Sequence, residues 1–418
     1  MKSDMKMKLM LFLLMASTSI ITNAYAQDKN EEIDAFLSSK VGKKKAPGIA
    51  VMVADKNSVI YSGAFGKLDL SKDREITVDT LVRIASMTKP ITSVAAMQLV
   101  ERGVLKLDVP IEIYLPALSN LQILAGFDQA GNPILRPSPD AVTLRQLLTH
   151  TSGFVYTFSN ENALRYDQLG NNPIVLEKGN NFLNAPLAHE PGQQWEYGIG
   201  VDWVGLLIEK MSNQTLEQYF KEHIFEPLKM NNTQFHLNEV QQQHLATLYV
   251  KSEDGILTDR GPWQNDVFLS GGSGLVSTTR DFMRFLQTIL NRGEFEGVQI
   301  LKPETVDLMT RNNIGEIDVR AVLHSYQPNR SLDIKFFEKA KAKFGLGFLI
   351  NTDPIPEARN AGSLTWGGLY NTFFWIDPKS GICGVFMTQV LPFFDPETID
   401  TFNQFEKLIY QSISEEEK

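Results

Sequence analysis

Cysteine is almost absent from this chain: Cys383 is the only one among 418 residues. A single thiol excludes an intramolecular disulfide, so core packing has to supply the stability of the fold. The neighbours of this cysteine, Gly381, Ile382, Val385 and Phe386, are small or apolar. They predict a buried core residue rather than a reactive thiol.

Positive charge is also scarce. The chain has 40 Lys and Arg against 49 Asp and Glu, a formal net charge of −9 and an isoelectric point near 5.3. A nucleic-acid surface needs a basic patch, and none stands out, so we expect no nucleic-acid partner. The histidines have no metal-ligand spacing and no phosphate-binding loop is evident, so we expect no metal and no cofactor.

Long apolar runs are missing after the first residues. Residues 1–26 combine three lysines, an apolar core at Leu9–Met15 and Ala24-Tyr25-Ala26 before Gln27. This pattern is typical of a signal peptide that is cut after Ala26, and the alternative is a retained anchor. We therefore expect a periplasmic or secreted protein without a membrane span after cleavage.

The stretch Arg83–Thr92 carries the strongest chemical signal. Ser86 suits a helix cap, Pro90 is tolerated near a helix start, and helical periodicity continues to Gly103, which together predict a helix over 86–102. Residues three apart share a helix face, so Lys89 should lie over the Ser86 hydroxyl. A lysine in that place can help remove the proton from a nucleophilic serine.

Ser-x-x-Lys also occurs as a helix cap followed by a solvated lysine. The apolar residues on both sides of this motif, at 81–85 and 91–99, instead predict a buried helix and a buried Lys89. An interior lysine is rare unless it is paired or functional. The setting therefore favours a catalytic interpretation.

The remaining pattern predicts an α/β (α+β) fold: an antiparallel sheet built from the N- and C-terminal parts, flanked by helices, with an inserted, mainly helical lobe. The α/β lobe would comprise 27–110 and 260–418 of one discontinuous domain, and the helical lobe 111–259. A ligand site belongs in the cleft between the two lobes. The predicted strands are 48–54, 58–66, 344–350, 371–376 and 382–390, and the predicted helices are 31–37, 86–102, 143–149, 161–169, 202–211, 216–223, 278–290, 302–309 and 395–413.

Four segments occur in the order found in serine β-lactamase-like hydrolases: Ser86–Lys89, Leu147–Gly153, Trp195–Tyr197 and Trp366–Gly368. The sequence resembles that superfamily over almost the whole chain after residue 26. It is most similar to family VIII carboxylesterases and related transesterases, which share the class C β-lactamase and DD-peptidase fold. The resemblance implies a β-lactamase/transpeptidase-like fold.

The resemblance also implies catalytic roles. Ser86 would be the acylated nucleophile and Lys89 its partner, and Tyr197 matches the tyrosine of a Tyr-x-Asn motif that acts as general base, as phenolate. A phenol with an ordinary pKa of about 10 can act as a base at neutral pH only if nearby cations lower that pKa, and Lys89 is the candidate cation. Without the resemblance, Tyr197 would be interpreted as an aromatic core residue with a bonded hydroxyl.

The segment Trp366-Gly367-Gly368-Leu369 would line the site. By the family pattern the amides of Ser86 and Leu369 form the oxyanion hole, and Trp366 lines the acyl pocket. The two glycines, Gly367 and Gly368, would let the backbone approach the scissile carbonyl closely.

The sequence departs from the lactamase pattern at two places: Ile199 replaces the asparagine of Tyr-x-Asn, and Trp366–Gly368 replaces Lys-Thr-Gly. The loss of an amide and a cation should weaken recognition of an anionic lactam and leave acyl transfer intact, which favours an esterase. His150 is expected to be a buried hydrogen-bonding residue rather than a triad member, because no Gly-x-Ser-x-Gly elbow is present.

We therefore expect an exported serine hydrolase of the carboxylesterase type that acts on small or medium acyl esters. The alternatives are a β-lactamase or D-amino-acid peptidase (DD-carboxypeptidase) and a penicillin-binding-like scaffold without turnover. The sequence leaves open whether water or an alcohol accepts the acyl group, and it leaves open the oligomeric state. The loops Leu121–Asp140 and Tyr156–Asn184 are expected to shape the substrate pocket.

Overall fold

The computed structural model describes residues 30–170, 185–262, 268–321, 324–337 and 341–416. The predicted signal peptide, residues 1–26, lies outside these residues, so its cleavage stays a prediction. The end of the predicted loop Tyr156–Asn184 lies outside them as well. Within the described ranges, no helix is both long enough and apolar enough to span a membrane.

Helices occupy the segments whose apolar periodicity predicted them. The helix that carries Lys89 begins at Thr88, two residues later than predicted, and Thr278 caps a later helix by accepting a hydrogen bond from the Asp281 amide, as expected. The short helix α7 was not predicted. The helices are α1 (30–39), α2 (Thr88–Glu101), α3 (Leu144–Leu148), α4 (Glu161–Gln168), α5 (Gly200–Ser212), α6 (Leu216–Phe220), α7 (Glu239–Gln243), α8 (Thr279–Leu290), α9 (Pro303–Thr310) and α10 (Pro396–Glu416).

Strands cluster at the two ends of the chain, with shorter ones between them. They are β1 (Gly48–Asp55), β2 (Val59–Asp69), β3 (Arg74–Glu75), β4 (Val82–Arg83), β5 (Gln122–Phe127), β6 (Pro133–Pro137), β7 (Tyr249–Lys251), β8 (Leu257–Asp259), β9 (Val276–Ser277), β10 (Glu294–Phe295), β11 (Val298–Gln299), β12 (Ala342–Phe344), β13 (Leu349–Asn351), β14 (Leu364–Gly368), β15 (Thr372–Asp377), β16 (Ile382–Met387) and β17 (Val390–Leu391).

The main sheet joins the first strands to the last. Within the described part of the chain it has eight strands in the order β12-β13-β14-β15-β16-β1-β2-β3, and every pair is antiparallel. The central pairing places Ala50 of β1 opposite Met387 of β16. The prediction of one antiparallel sheet built from both ends of the chain is confirmed.

Helices cover both faces of this sheet. The ring of Phe374 in β15 lies 5.6 Å from that of Phe282 in α8, whereas the rings of Phe373 and Trp375 lie 5.0 and 5.9 Å from that of Phe402 in α10. Successive side chains of a strand point to opposite faces. The two helices therefore sandwich the sheet, and the lone thiol, Cys383, is buried between the layers as expected.

Three differences from the predicted strands lie in the last part of the chain. The strand predicted over 344–350 is divided into β12 and β13 by a turn, in which the Gly345 amide donates to the Phe348 carbonyl over 2.8 Å. The strand predicted over 382–390 is divided between β16 and β17. β14 was not predicted from its pattern, because two of its five residues are glycines that carry no strand signal.

The middle of the chain, residues 111–259, contains the helices α3 to α7. It also contains the hairpin β5–β6, which lies within the loop predicted over 121–140, and the pair β7–β8. β7 pairs in parallel with β17 near the C-terminus. The lobe boundaries at 110/111 and 259/260 stay a prediction.

Candidate active site

Ser86 lies in a short 3-10 turn, Ala85–Met87, between β4 and α2. The preceding Ala85 has a φ of 44°, a left-handed conformation that costs an alanine roughly 1–2 kcal/mol. The turn is anchored because the Ile84 amide donates to the Leu275 carbonyl over 3.1 Å. Ser86 therefore stands on a sharp corner of the chain, at the wall of a large cavity.

Lys89 is buried, as predicted, with only 1% of its surface exposed. Its ammonium group donates to three oxygens: the Ser86 hydroxyl at 3.2 Å, the Tyr156 hydroxyl at 3.1 Å and the Gly272 carbonyl at 2.8 Å. An ammonium has three N–H donors. Each donor has an acceptor here, which is what makes burial of this charge tolerable.

Tyr197 lies against Ser86 although 111 residues separate them. Its phenol oxygen is 2.6 Å from Ser86 Oγ, and Lys89 Nζ is 4.8 Å from the centre of its ring. The Ser86 hydroxyl thus lies between the phenol and the ammonium. The structure brings together the three side chains that the sequence had proposed for catalysis.

Tyr156 is a second phenol at this site, and sequence reasoning missed it. Its ring centre is 5.0 Å from that of Tyr197, and its hydroxyl accepts a hydrogen bond from Lys89. Burial raises the pKa of Tyr156 well above its ordinary value, and the neighbouring Tyr197 adds to this. Tyr156 is therefore a neutral phenol at pH 7. It lies in an irregular segment after α3, where no spacing could have indicated it.

Asp202 in α5 holds the turn that contacts Lys89. Its carboxylate is fully buried and accepts hydrogen bonds from the Ser270 hydroxyl at 2.6 Å and the Gly272 amide at 2.9 Å. Burial raises the pKa of Asp202, and the positive charge of Lys89 acts in the opposite direction. This buried acid, which the sequence did not single out, therefore orients the carbonyl that accepts from the lysine.

β14 forms another wall of the site. The indole of Trp366 lies 5.1 Å from the Tyr197 ring, and Gly367 and Leu369 also line the cavity. A Cβ at Gly368 would overlap the Ile84 carbonyl and the Thr372 hydroxyl. The second glycine is thus needed for β14 to pack against the turn that carries Ser86.

The turn after β14 is anchored by Asn371, which was not identified as a site residue. Asn371 is buried with a φ of 60°. Its amide donates to the carbonyls of Val390 and Pro392, and its Oδ1 accepts from the Phe394 amide. These bonds fix the backbone that presents Leu369 to the cavity.

His150 is buried, as predicted, with 2% exposure and a φ of 58°. Contrary to the expected hydrogen-bonding role, its Nδ1 has no hydrogen-bond partner among the described residues. The imidazole packs instead against Tyr197 at 4.8 Å and Phe344 at 5.3 Å. Burial, together with the charge of Lys89, holds the pKa of His150 well below its ordinary value, so the ring is neutral.

The cavity in front of Ser86 has a volume of about 1010 Å³, at the upper end of the range for small-molecule sites. Tyr156 and Phe158 line it, but no described residue of the loop Leu121–Asp140 does, so the expected role of that loop is wrong. The segments 260–262, 319–321 and 324–337 contribute instead. No cluster of three or more metal-ligating side chains occurs in the described ranges.

The fold and this site can be compared with known proteins. A sequence model of the family described as Beta-lactamase matches residues 33–408. The chain belongs to the beta-lactamase family. Within this family it is 32% identical to monacolin J acid methylbutanoyltransferase of Aspergillus terreus, over 94% of this chain and 98% of that protein. It is 30% identical to lovastatin esterase of Penicillium rubens, over 91% and 98% of the two chains.

Solved structures of the beta-lactamase family agree with the fold. Unliganded simvastatin synthase (LovD) from Aspergillus terreus aligns with a TM-score of 0.77 and 31% identity, over 92% of this chain and 98% of that one. EstCE1, a hydrolase with promiscuous acyltransferase activity, aligns with a TM-score of 0.72 and 23% identity, over 93% and 100%. The resemblance noted in the sequence is confirmed.

The neutral state of His150 makes stability depend on pH. The unfolded chain binds a proton at this residue below a pKa of about 6.5, whereas the folded chain does not, so stability falls as pH falls below that value. We expect His150→Asn, which suits a positive φ, to flatten the slope of unfolding free energy by up to about 1.4 kcal/mol per pH unit.

Urea unfolding at a series of pH values below neutrality measures this slope. The exposed His324→Asn substitution is the matched control and should leave the slope as it is in the wild-type protein. An equal slope in wild type and His150→Asn would show that the imidazole takes up its proton in the folded state.

Proposed function

We propose that this chain is a serine hydrolase of the carboxylesterase type that works through an acyl-enzyme on Ser86. One observation carries the proposal: the Ser86 hydroxyl lies 2.6 Å from the Tyr197 phenol and 3.2 Å from the Lys89 ammonium, at the wall of the cavity. A serine becomes nucleophilic when an adjacent group takes its proton. The names of the relatives, a methylbutanoyltransferase and an esterase, support acyl-transfer chemistry.

In the proposed reaction the Tyr197 phenolate takes the Ser86 proton while Oγ bonds to the acyl carbon. The bond from that carbon to the leaving oxygen breaks, and the alcohol departs with the proton from Tyr197. Water then attacks the acyl carbon and gives a proton to Tyr197. The bond from that carbon to Ser86 Oγ breaks and Tyr197 returns the proton to Oγ, which leaves the carboxylic acid as product and restores the serine hydroxyl and the phenolate. Lys89 supplies the adjacent positive charge throughout.

The Ser86 and Leu369 amides form the oxyanion hole in this proposal. Both residues line the cavity, the Ala85 corner orients one amide, and Asn371 fixes the turn that carries the other. Removal of one such donor typically costs about 2.7–4 kcal/mol of transition-state stabilisation. Trp366 lines the acyl pocket.

Acyl transfer to an alcohol is the second candidate function. The cavity of about 1010 Å³ is large enough for an acyl group and a second substrate together, and the relative at 32% identity is named as a transferase. The ratio of free acid to new ester, measured as the concentration of an added alcohol rises, separates the two outcomes. Formation of free acid alone at every alcohol concentration supports hydrolysis.

β-Lactam or D-amino-acid peptide hydrolysis remains a weaker candidate. Ile199 is fully buried at the N-terminus of α5, and Trp366 fills the strand position of the lactamase lysine. Ile199 cannot provide the hydrogen bonds of an asparagine, and Trp366 cannot provide the charge of a lysine. A specificity constant for a chromogenic cephalosporin above that for a p-nitrophenyl ester would reverse this ranking.

Ser86→Ala should lower kcat/KM for a short-chain p-nitrophenyl ester by at least about 10³-fold, because the nucleophile is lost. A serine-reactive phosphonate should add one adduct to the wild-type protein, located at Ser86 by intact mass and peptide mapping. An adduct on another residue, or undiminished turnover by Ser86→Ala, rules out the proposal. A Lys89→Ala variant that matches wild type in every assay would also rule out the proposal. That result would favour a non-catalytic scaffold.

Tyr197→Phe and Tyr156→Phe form a matched pair, since each removes one phenol oxygen near Lys89. Loss of the base should lower kcat by about 10²–10⁴-fold in Tyr197→Phe. Tyr156→Phe should have a smaller effect, because it removes only one of the three acceptors of the lysine. Equal losses, or a larger loss in Tyr156→Phe, would transfer the role of base away from Tyr197.

We also propose that the protein is exported and cut after Ala26. The lysine-rich start, apolar core and Ala24-Tyr25-Ala26 signal in the sequence support this. Expression of the full chain in a bacterial host, followed by cell fractionation and N-terminal sequencing, should give a periplasmic or secreted protein that begins at Gln27. A cytoplasmic protein that retains residues 1–26 contradicts the proposal.

A further inference from the structure

The charged residues that line the cavity have one sign. Among the described lining residues there is no aspartate or glutamate, although the whole chain contains 49 acidic and 40 basic residues. The charge of the described lining is therefore opposite to that of the protein as a whole. The charged lining residues are Arg83, Arg260, Arg320, Arg330 and Lys335.

Two of these cations, Arg83 and Arg260, lie near each other. Arg83 is in β4, three residues before Ser86, with 6% exposure, and its Nη1 donates to the Ala246 carbonyl over 2.8 Å. Burial lowers the pKa of Arg83 to about 10, with a smaller contribution from nearby Arg260, so the guanidinium is still charged at pH 7. Asp259, whose negative charge also acts on Arg83, is exposed and does not line the cavity.

The other three cations, Arg320, Arg330 and Lys335, belong to the segments 319–321 and 324–337. Arg330 lies close enough to Tyr156 for its charge to favour the phenolate of that residue, against the effect of burial. The charge of Arg320 likewise favours the carboxylate form of Glu196. Glu196 is largely buried, accepts a hydrogen bond from Asn160 and does not line the cavity. Lys335 is exposed at the wall. Positive charge thus reaches the cavity from two separate parts of the chain.

We propose that the ester bound by this cavity carries an anionic group, a carboxylate or a phosphate, that is recognised by these cations. The inference rests on the proposed esterase function, whose substrate class it narrows. A concave, low-dielectric site lined by one sign of charge concentrates the potential and raises the local concentration of oppositely charged ligands. Four of the five cations are guanidinium groups, and the planar arrangement of their N–H donors matches the oxygens of a carboxylate or phosphate.

This charge changes the expected consequence of losing the lactamase lysine. Trp366 stands in β14 where lactamases carry a lysine, so that cation is missing, but the cavity has other cations at different positions. In this proposal the anion is bound by cations on β4, at Arg260 and in the segments 319–321 and 324–337, rather than by a lysine on the strand beside the nucleophile.

Matched pairs of esters test the proposal. One pair places a carboxylate on the acyl side: p-nitrophenyl hydrogen glutarate against p-nitrophenyl pentanoate. The other places it on the leaving group: 4-butyryloxybenzoate against its methyl ester. Each kcat/KM is divided by the uncatalysed rate of the same ester. We expect a preference for the anionic member of at least one pair by about tenfold or more at low salt.

The preference for the anionic ester should depend on salt concentration and on the individual cations, because it is electrostatic. It should shrink as sodium chloride rises from about 0.05 M to about 0.5 M, because salt screens the cations. Arg260→Gln and Lys335→Gln should each lower the anionic-to-neutral ratio by about threefold or more. Arg311→Gln, an exposed arginine outside the cavity lining, is the matched control and should leave the ratio unchanged.

Inhibition by inorganic phosphate and by benzoate distinguishes the two kinds of anion. Turnover of both pairs with no preference, or a preference that neither salt nor Arg260→Gln alters, overturns the inference and leaves the esterase proposal in place. Absence of turnover with all four esters, together with no phosphonate adduct, overturns the esterase proposal. In that event calorimetric binding of 4-hydroxybenzoate and its methyl ester to the Ser86→Ala protein still decides the inference, since equal affinities contradict it.

Discussion

The buried ammonium of Lys89 is the group on which the whole site depends. Its three hydrogen-bond acceptors come from the turn before α2, from the loop after α3 and from the turn before β9. A lysine charge can be buried only when its donors are satisfied. The requirement therefore draws three distant segments to one point, where they also form the walls around Ser86.

Around this charge lies a shell of aromatic rings and one buried acid. Tyr197, Tyr156, His150 and Trp366 exclude water from the lysine, and burial keeps the pKa of His150 low and that of Tyr156 high. Burial thus keeps His150 and Tyr156 neutral beside the lysine. Asp202 acts on the lysine through a turn: its side chain accepts a hydrogen bond from the Gly272 amide, and the Gly272 carbonyl accepts one from Lys89.

Local spacing was enough to predict the pairing of Ser86 with Lys89, because a helix turn dictates it, and the sequence pattern was enough for most strands of the main sheet. Tyr197 required the family resemblance, since nothing near it in the sequence indicates its contact with Ser86. Tyr156 and Asp202 were missed because their positions follow from tertiary contacts alone. The prediction that residues 121–140 line the cavity was wrong, because the hairpin β5–β6 packs on residues 185–190, where the Leu124 amide donates to the Leu187 carbonyl. The segments 319–321 and 324–337 form that wall of the cavity instead.

The pairing of β1 with β16 also governs how the chain must fold during its synthesis. A nascent chain that ends before Ile382 has no partner for one edge of β1, and the residues that cover Trp375 and Phe373 have not yet been made. Contacts across most of the length of a chain form slowly and leave apolar surface open to aggregation in the interval. The nucleophile is thus translated early but acquires its final environment only when the C-terminal helix arrives.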